Sequence, residues 1–266
     1  MISRRHFLTT LGAGIIIPHV MAGKRARFTL GIGTYTYRGL TEDKMIEDLS
    51  ALGIQQVELS SPDYFLPKVM IEHIPKLKSN LNRSGIKAVS YFCGDIKTEA
   101  DIDLTFRTAR ALEVHHVSGS AVGDALKLVD QRFSQEGLKF GIHNHWFRGR
   151  KFAYESPEDL VNALKGVSKT VGVTLDTGHM ASCGYDPVEA LVKLRDRLQL
   201  VHLKDVERSG DDKNVALGTG IAKSAAVIEK LEQQGFNGLV AIEYEADENN
   251  PQPAVARDVE YTRNLM

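Results

Sequence analysis

The chain has 266 residues, 42% of them hydrophobic and 25% charged, which is enough apolar material for one large domain with a full core. Its net charge of −1 excludes a strongly attractive field for nucleic acid or an anionic membrane, so neither is an expected partner. Two cysteines, Cys93 and Cys183, lack zinc-site spacing and read as small buried side chains.

The first residues read as an address rather than as structure. Ser3-Arg4-Arg5-His6-Phe7-Leu8 precedes an apolar stretch, residues 11–20, that is too short for a stable membrane span. Val20-Met21-Ala22 has the form of a cleavage site. Residues 1–22 together resemble a bacterial twin-arginine export signal. That resemblance implies the twin-arginine translocase as a partner, export of residues 23–266 in the folded state, and a periplasmic location. A chain folded before export can take its metal inside the cell, ahead of outside ions that compete in affinity order.

From residue 27 onward short apolar strands alternate with amphipathic helical segments. Strand one covers 28–33, and Thr41 caps a helix to about residue 52. Strand two covers 54–59, with Glu58 inside its end, followed by a loop with Pro62 and Pro67 and a helix over 75–84. Strand three is 86–91, then a helix over 100–112; strand four is 114–117, then a helix over 124–135. Strand five is 138–144. Ser156-Pro157-Glu158-Asp159 is a strong helix start, with the serine as cap and the proline at the first helical position; that helix runs to about 166. Strand six is 171–175, and Asp186-Pro187 opens a helix to 197. Strand seven is 198–203. A helix over 222–234 stops at Gly235. Strand eight is 238–242, and the last helix runs from 253 to about 264.

Eight strand–helix units in one domain of about 240 residues predict a closed parallel (β/α)8 TIM barrel. Strands covered by helices on the outside should read as continuous apolar runs, and these do. A doubly wound open sheet is the other candidate. It would carry a Gly-rich phosphate turn after the first strand, but Gly31-Ile32-Gly33 lies within a strand and lacks the third glycine.

The last four strands end in potential metal ligands. Phe140-Gly141-Ile142-His143-Asn144-His145, Val173-Thr174-Leu175-Asp176, Leu200-Val201-His202-Leu203-Lys204 and Val240-Ala241-Ile242-Glu243 are apolar runs closed by a chemical group. In a barrel these tips share the C-terminal face, where chemistry sits. Residues two apart face the same side, so His143 pairs with His145, His202 with Lys204 and Glu243 with Glu245. His143, Asp176, His202 and Glu243 should therefore converge. Two imidazoles and two carboxylates suit one divalent transition ion, Mn²⁺, Co²⁺ or Zn²⁺, better than Ca²⁺. Position favours His143 over His145 as the ligand, and Glu155 is a remote further candidate. Glu58 is equally placed on strand two, facing substrate or paired with a cation. Trp146 can floor a sugar site by stacking, and Arg148-Gly149-Arg150-Lys151 reads as a solvated loop.

These residues resemble the xylose-isomerase-like barrels, which include sugar isomerases and epimerases, inosose dehydratases and endonuclease-IV-type enzymes. The resemblance covers roughly residues 27–265. Its most specific pieces are His143-Asn144-His145, Leu175-Asp176-Thr177-Gly178-His179, His202-Leu203-Lys204-Asp205, Leu217-Gly218-Thr219-Gly220 and Ile242-Glu243-Tyr244-Glu245. It implies metal binding by Asp176, His202 and Glu243, and substrate contact by His179 and Lys204. The strand-five glutamate of that family is replaced here by His143. In ketose epimerases two glutamates exchange a proton across the substrate; this chain keeps only the second, Glu243.

The expected activity is metal-dependent isomerisation or epimerisation of a non-phosphorylated sugar or polyol by proton abstraction next to a carbonyl. Glu243, Glu58 or a histidine would move the proton, Lys204 would take part in catalysis, and His145, His179 and Trp146 would bind the carbohydrate. The alternatives are a keto-sugar lyase of the inosose dehydratase kind and a sugar-binding barrel without chemistry. A DNA-repair nuclease would need more zinc ligands and a basic surface. An oligomer is compatible with the chain.

Overall fold

The computed structural model describes residues 28–60 and 71–266; the expected leader and the loop with Pro62 and Pro67 lie outside them. The strands are β1 (Thr29–Gly33), β2 (Gln56–Ser60), β3 (Lys87–Ile96), β4 (His116–Ala121), β5 (Lys139–His143), β6 (Val171–Asp176), β7 (Leu198–Leu203), β8 (Asp205–Val206), β9 (Asn214–Val215) and β10 (Leu239–Ile242). Eight of them close a parallel barrel in the order β1-β10-β7-β6-β5-β4-β3-β2, while β8 and β9 form a small antiparallel ribbon. This is the (β/α)8 TIM barrel expected from the strand–helix alternation.

Between the strands run α1 (Glu42–Ala51), α2 (Ile74–Arg83), α3 (Glu99–Leu112), α4 (Asp124–Glu136), α5 (Pro157–Ala163), α6 (Thr177–Ser182), α7 (Pro187–Leu194), α8 (Ser224–Gln234) and α9 (Gln252–Leu265). The local signals explain their ends. Thr41 accepts from the Lys44 amide, Ser156 and Asp159 form a capping box, and Asp186 caps α7 with Pro187 first in the helix. Gly235 closes α8 in the left-handed conformation.

Several elements depart from expectation, among them β4, which runs on to Ala121, and the unexpected β8–β9 ribbon. β3 continues to Ile96 because its end pairs with β4, Asp95 opposite Ser120 and Ile96 opposite Ala121, past an irregularity after Phe92. α7 stops at Leu194, where a 3-10 turn, Arg195–Arg197, leads into β7. The turn after Asp176 is itself a helix, α6, capped when the Asp176 carboxylate accepts from the His179 amide at 2.7 Å. Cys93 and Cys183 are free thiols and half-buried rather than fully buried.

The large apolar core lies between barrel and helices and includes Phe133, Phe140, Leu160, Val173, Val201, Val227 and Val255. The barrel interior is layered. Leu200, Leu239 and Ala241, with Val89 against them, fill the lower part. One residue pair further along the strands the lining turns polar, with Glu58, Ser90, Ser118 and Thr174 all buried. Above these stand the strand-tip residues: register sets Asp176 level with His202, while His143 pairs with Thr174, two residues before Asp176 on β6. Among the described residues no helix is long and apolar enough to cross a membrane.

Candidate active site

Barrel closure brings His143 at the end of β5, Asp176 at the end of β6 and His202 on β7 to one point. One ligand atom from each lies within 4.8 Å of the others. His202 Nδ1 is 3.2 Å from His143 Nε2 and 3.8 Å from Asp176 Oδ2, and His143 Nε2 is 3.7 Å from the same oxygen. Ligand bonds of about 2.0–2.1 Å to a tetrahedral zinc would set donor atoms roughly 3.3 Å apart, close to this spacing. Asp176 Oδ2 is fully buried and faces both imidazole nitrogens as well as the Lys204 ammonium at 3.0 Å, so it is held ionised as a ligand carboxylate must be. The donor set therefore fits a divalent ion.

Glu243 stands beside this trio just beyond β10. Its Oε2 is 3.6 Å from His202 Nδ1 and 2.9 Å from Lys204 Nζ. Lys204 is fully buried and also touches Asp176 Oδ2 at 3.0 Å and the Glu245 carboxylate. Burial opposes its charge, yet Asp176, Glu243 and Glu245 together raise its pKa well above the ordinary lysine value. Asp176 is held well below the carboxylate range: burial works against ionisation, but His179, Lys204 and His143 outweigh it. Asn144, just beyond β5, fixes the Asp176 backbone, accepting from its amide at 2.8 Å and donating to its carbonyl at 3.0 Å.

The remaining expected residues divide by position. His179, on α6, lies 3.3 Å from Lys204 Nζ through its Nε2, and burial drives its pKa well down, leaving a neutral ring. His145 stacks on His179 at 4.1 Å and on Phe152 at 4.5 Å. Burial first, then His143 and Lys204, lower its pKa to about 3, and its Nδ1 has no partner. It is His143, not His145, that enters the ligand group. Glu155 goes elsewhere, accepting from the Phe152 amide and pairing with Lys151. Glu58 lies beneath His202, bonded to its Nε2, rather than against the cavity. Burial would raise its pKa, but His202, Ser90 and Ser118 bring it down to about 2.

A cavity of about 460 Å³ opens above the trio. Its lining includes Tyr35, Phe92, Trp146 and Phe147 as well as His143, His145, His179, His202, Lys204, Glu243 and Glu245. Apolar faces with a few convergent polar groups are the usual make-up of a small-molecule site. A roomier hollow of about 670 Å³ lies at the opposite barrel mouth around Gln56, Lys87, His116 and Gln199, away from the ligand trio. Among the described residues the cations of the upper cavity are already engaged. Arg38 pairs with Glu248 and donates to the Glu245 carbonyl, and Lys204 faces three carboxylates. The basic loop is engaged too: Arg148 bonds Asp211, Arg150 lies over Phe152, and Lys151 pairs with Glu155.

Sequence reasoning passed over Tyr35, Arg38 and Phe92. The first two sit on and just after a 3-10 turn, Thr34–Tyr37, and Phe92 on the extension of β3, where no periodicity announces them. Thr177 was legible only as the residue after Asp176; its hydroxyl donates to the Lys204 carbonyl at 2.7 Å and accepts from the Lys204 amide at 3.0 Å.

The profile of the xylose isomerase-like TIM barrel family matches residues 46–265, and the chain belongs to that family. An inosose dehydratase from Geobacillus kaustophilus (strain HTA426) is 26% identical over 272 residues, covering 84% of each chain. A crystal structure of a protein from Parabacteroides distasonis ATCC 8503 superposes with a TM-score of 0.69 at 26% identity, over 91% of this chain and 100% of that one. The IolI protein, in a structure with a bound zinc atom, shares the fold at 19% identity, with a TM-score of 0.73 over 90% and 98% of the two chains.

Proposed function

We infer that the protein is a metal-dependent enzyme that abstracts a proton next to the carbonyl of a non-phosphorylated sugar or polyol, giving isomerisation or epimerisation. The observation that carries this reading is the His143–Asp176–His202 trio on the floor of an aromatic-lined cavity, with Glu243 and Lys204 at its edge. His143, Asp176 and His202 would hold one Mn²⁺, Co²⁺ or Zn²⁺, with Glu243 as a fourth ligand candidate. The ion would supply Lewis-acid polarisation of a carbonyl or adjacent hydroxyls. The zinc reported in the IolI structure supports a divalent ion in this fold.

Glu243 is the buried carboxylate that both lines the cavity and neighbours the trio, so it is placed to take the C–H proton. Lys204 and His179 would hold the oxygen on which negative charge grows. His145, His179 and Trp146 line the cavity where the C–H surface of a sugar would lie. The engaged state of Arg38 and Lys204 leaves no spare cation for a phosphate among the described lining residues, which supports a neutral substrate. Export by the twin-arginine route to the periplasm, where sugar phosphates are scarce, is consistent with the same choice.

A second reading has its own support. With His143 in place of a strand-five glutamate, only Glu243 remains of the two-glutamate pair that would pass a proton across a substrate. One base suffices for loss of a proton and of a β-hydroxyl as water, and the inosose dehydratase similarity favours that lyase outcome. Incubation of metal-loaded protein with neutral ketohexoses and ketoinositols in deuterated water, read by NMR, separates the cases. Deuterium at the carbon next to the carbonyl supports isomerisation or epimerisation, and loss of water identifies the lyase. Glu243→Gln should slow either by roughly 10²–10⁴-fold. No exchange and no elimination across the panel would sink the reading.

A further inference from the structure

Below the ligand trio runs a hydrogen-bonded column that the proposed reaction does not use. Glu58 Oε2 meets His202 Nε2. Its Oε1 accepts from Ser90 Oγ at 2.6 Å and from Ser118 Oγ at 2.7 Å. Ser90 Oγ also lies 2.8 Å from His116 Nδ1, and Ser118 Oγ lies 2.7 Å from Thr174 Oγ1. Each serine has one hydroxyl proton, and Glu58 takes both. Ser90 must then accept from a protonated His116 Nδ1, and Ser118 must accept from Thr174. Every proton in the column points inward to Glu58, whose third contact is the imidazole of His202.

Both serine hydroxyls donate to Oε1 and leave Oε2 facing His202 Nε2; an ionised carboxylate can only accept there, so that nitrogen carries a proton. The other nitrogen, Nδ1, is the one turned to His143, Asp176 and Glu243. The geometry points to Glu58 as a positioning residue: it fixes the ring and tautomer of His202 so that the Nδ1 lone pair is presented to the metal, and Ser90, Ser118, His116 and Thr174 hold it in place. This rests on the metal reading above. It assigns Glu58 a part in ion binding rather than in proton transfer to substrate. A carboxylate behind a metal-ligating histidine orients the ring and raises its basicity, and its loss weakens binding roughly 10–100-fold.

The test is competition for Zn²⁺ and Co²⁺ between the purified chain and a chromophoric chelator at fixed pH. Glu58→Gln should weaken ion affinity roughly 10–100-fold. Ser90→Ala and Ser118→Ala, which leave the carboxylate charge in place, should each weaken it less, and their combination more than either. Long-range ¹H–¹⁵N NMR of the zinc-loaded protein should show the His202 proton on Nε2. Affinity of Glu58→Gln within twofold of wild type, or a His202 proton on Nδ1, would overturn the assignment. If Glu58→Gln does not fold, the double serine variant decides, and unchanged affinity there counts against it equally. A wild-type chain that binds neither ion would remove the metal reading itself. Wild-type affinity therefore tests the proposed function, and the difference between variants tests the role of Glu58.

Discussion

Lys204 is the side chain whose burial most needs explaining. An ammonium removed from water costs several kcal/mol unless opposite charges surround it. Here Asp176 Oδ2 and Glu243 Oε2 lie 3.0 and 2.9 Å away, with Glu245 on a third side. Lys204→Met keeps the length and removes the charge, leaving Asp176 and Glu243 without their ammonium. We expect a loss of about 3–5 kcal/mol in urea unfolding of the metal-free protein. Added divalent ion should restore part of it by serving as the replacement cation. A loss below about 1 kcal/mol would show that Lys204 does not act as the counterion. Lys204 was visible in sequence as the residue two beyond His202 on the same strand face. The three carboxylates gathered around it were less so, because they come from two segments far apart in the chain, the end of β6 and the stretch after β10. The role of Glu58 was not legible. Its parity on β2 turned it inward, but only closure of the barrel set the His202 ring between it and the cavity.

At the scale of elements, the segment after β7 shows what a short motif is for. Asp205 is fully buried and accepts from the amides of Gly218, Gly220 and Ala222 at 3.0, 3.1 and 2.9 Å, and from Ser224 Oγ at 3.2 Å. This clasp folds the Leu217-Gly218-Thr219-Gly220 stretch back over the β8–β9 ribbon and delivers the chain to α8. A Cβ on Gly220 would fall 2.2 Å from the Val206 carbonyl oxygen, so the close approach requires glycine. The motif was readable in the sequence, whereas the ribbon, two residues per strand, is too short for any periodic signal. α6 was missed for a related reason: six residues starting on a cap that also belongs to the ligand trio look like a turn. The Val206 amide also donates to this carboxylate, at 3.0 Å, so Asp205→Ala would strand five donors at once. Its expected cost is about 3 kcal/mol or more, with faster hydrogen exchange confined to residues 205–224. A uniform rise in exchange over the whole barrel would instead mean that Asp205 supports the core rather than the loop.

For the whole molecule, the division of labour between the two faces of the sheet is decisive. Outward side chains such as Val173, Val201 and Ile242 pack against the helices in one continuous apolar layer, which carries the stability. Inward side chains turn polar halfway up, and their burial works against stability unless each finds a partner. That asymmetry was legible because strand tips end in chemistry while the runs before them stay apolar. A barrel with its ligand atoms pre-gathered should bind an ion in the native state and far less in the unfolded one. Free ion at 100 times its dissociation constant then adds about 2.7 kcal/mol to unfolding. For a chain of this size that corresponds to a rise in melting temperature of roughly 5–10 °C. Scanning calorimetry after chelator treatment, with and without added Zn²⁺, Co²⁺ or Mn²⁺, measures it directly. His143→Ala and His202→Ala should lose most of the rise, while Glu155→Ala, outside the trio, should keep it. A rise that survives loss of both histidines would locate the ion elsewhere, and no rise with any of the three ions would mean that the trio is held together by hydrogen bonds and Lys204 alone.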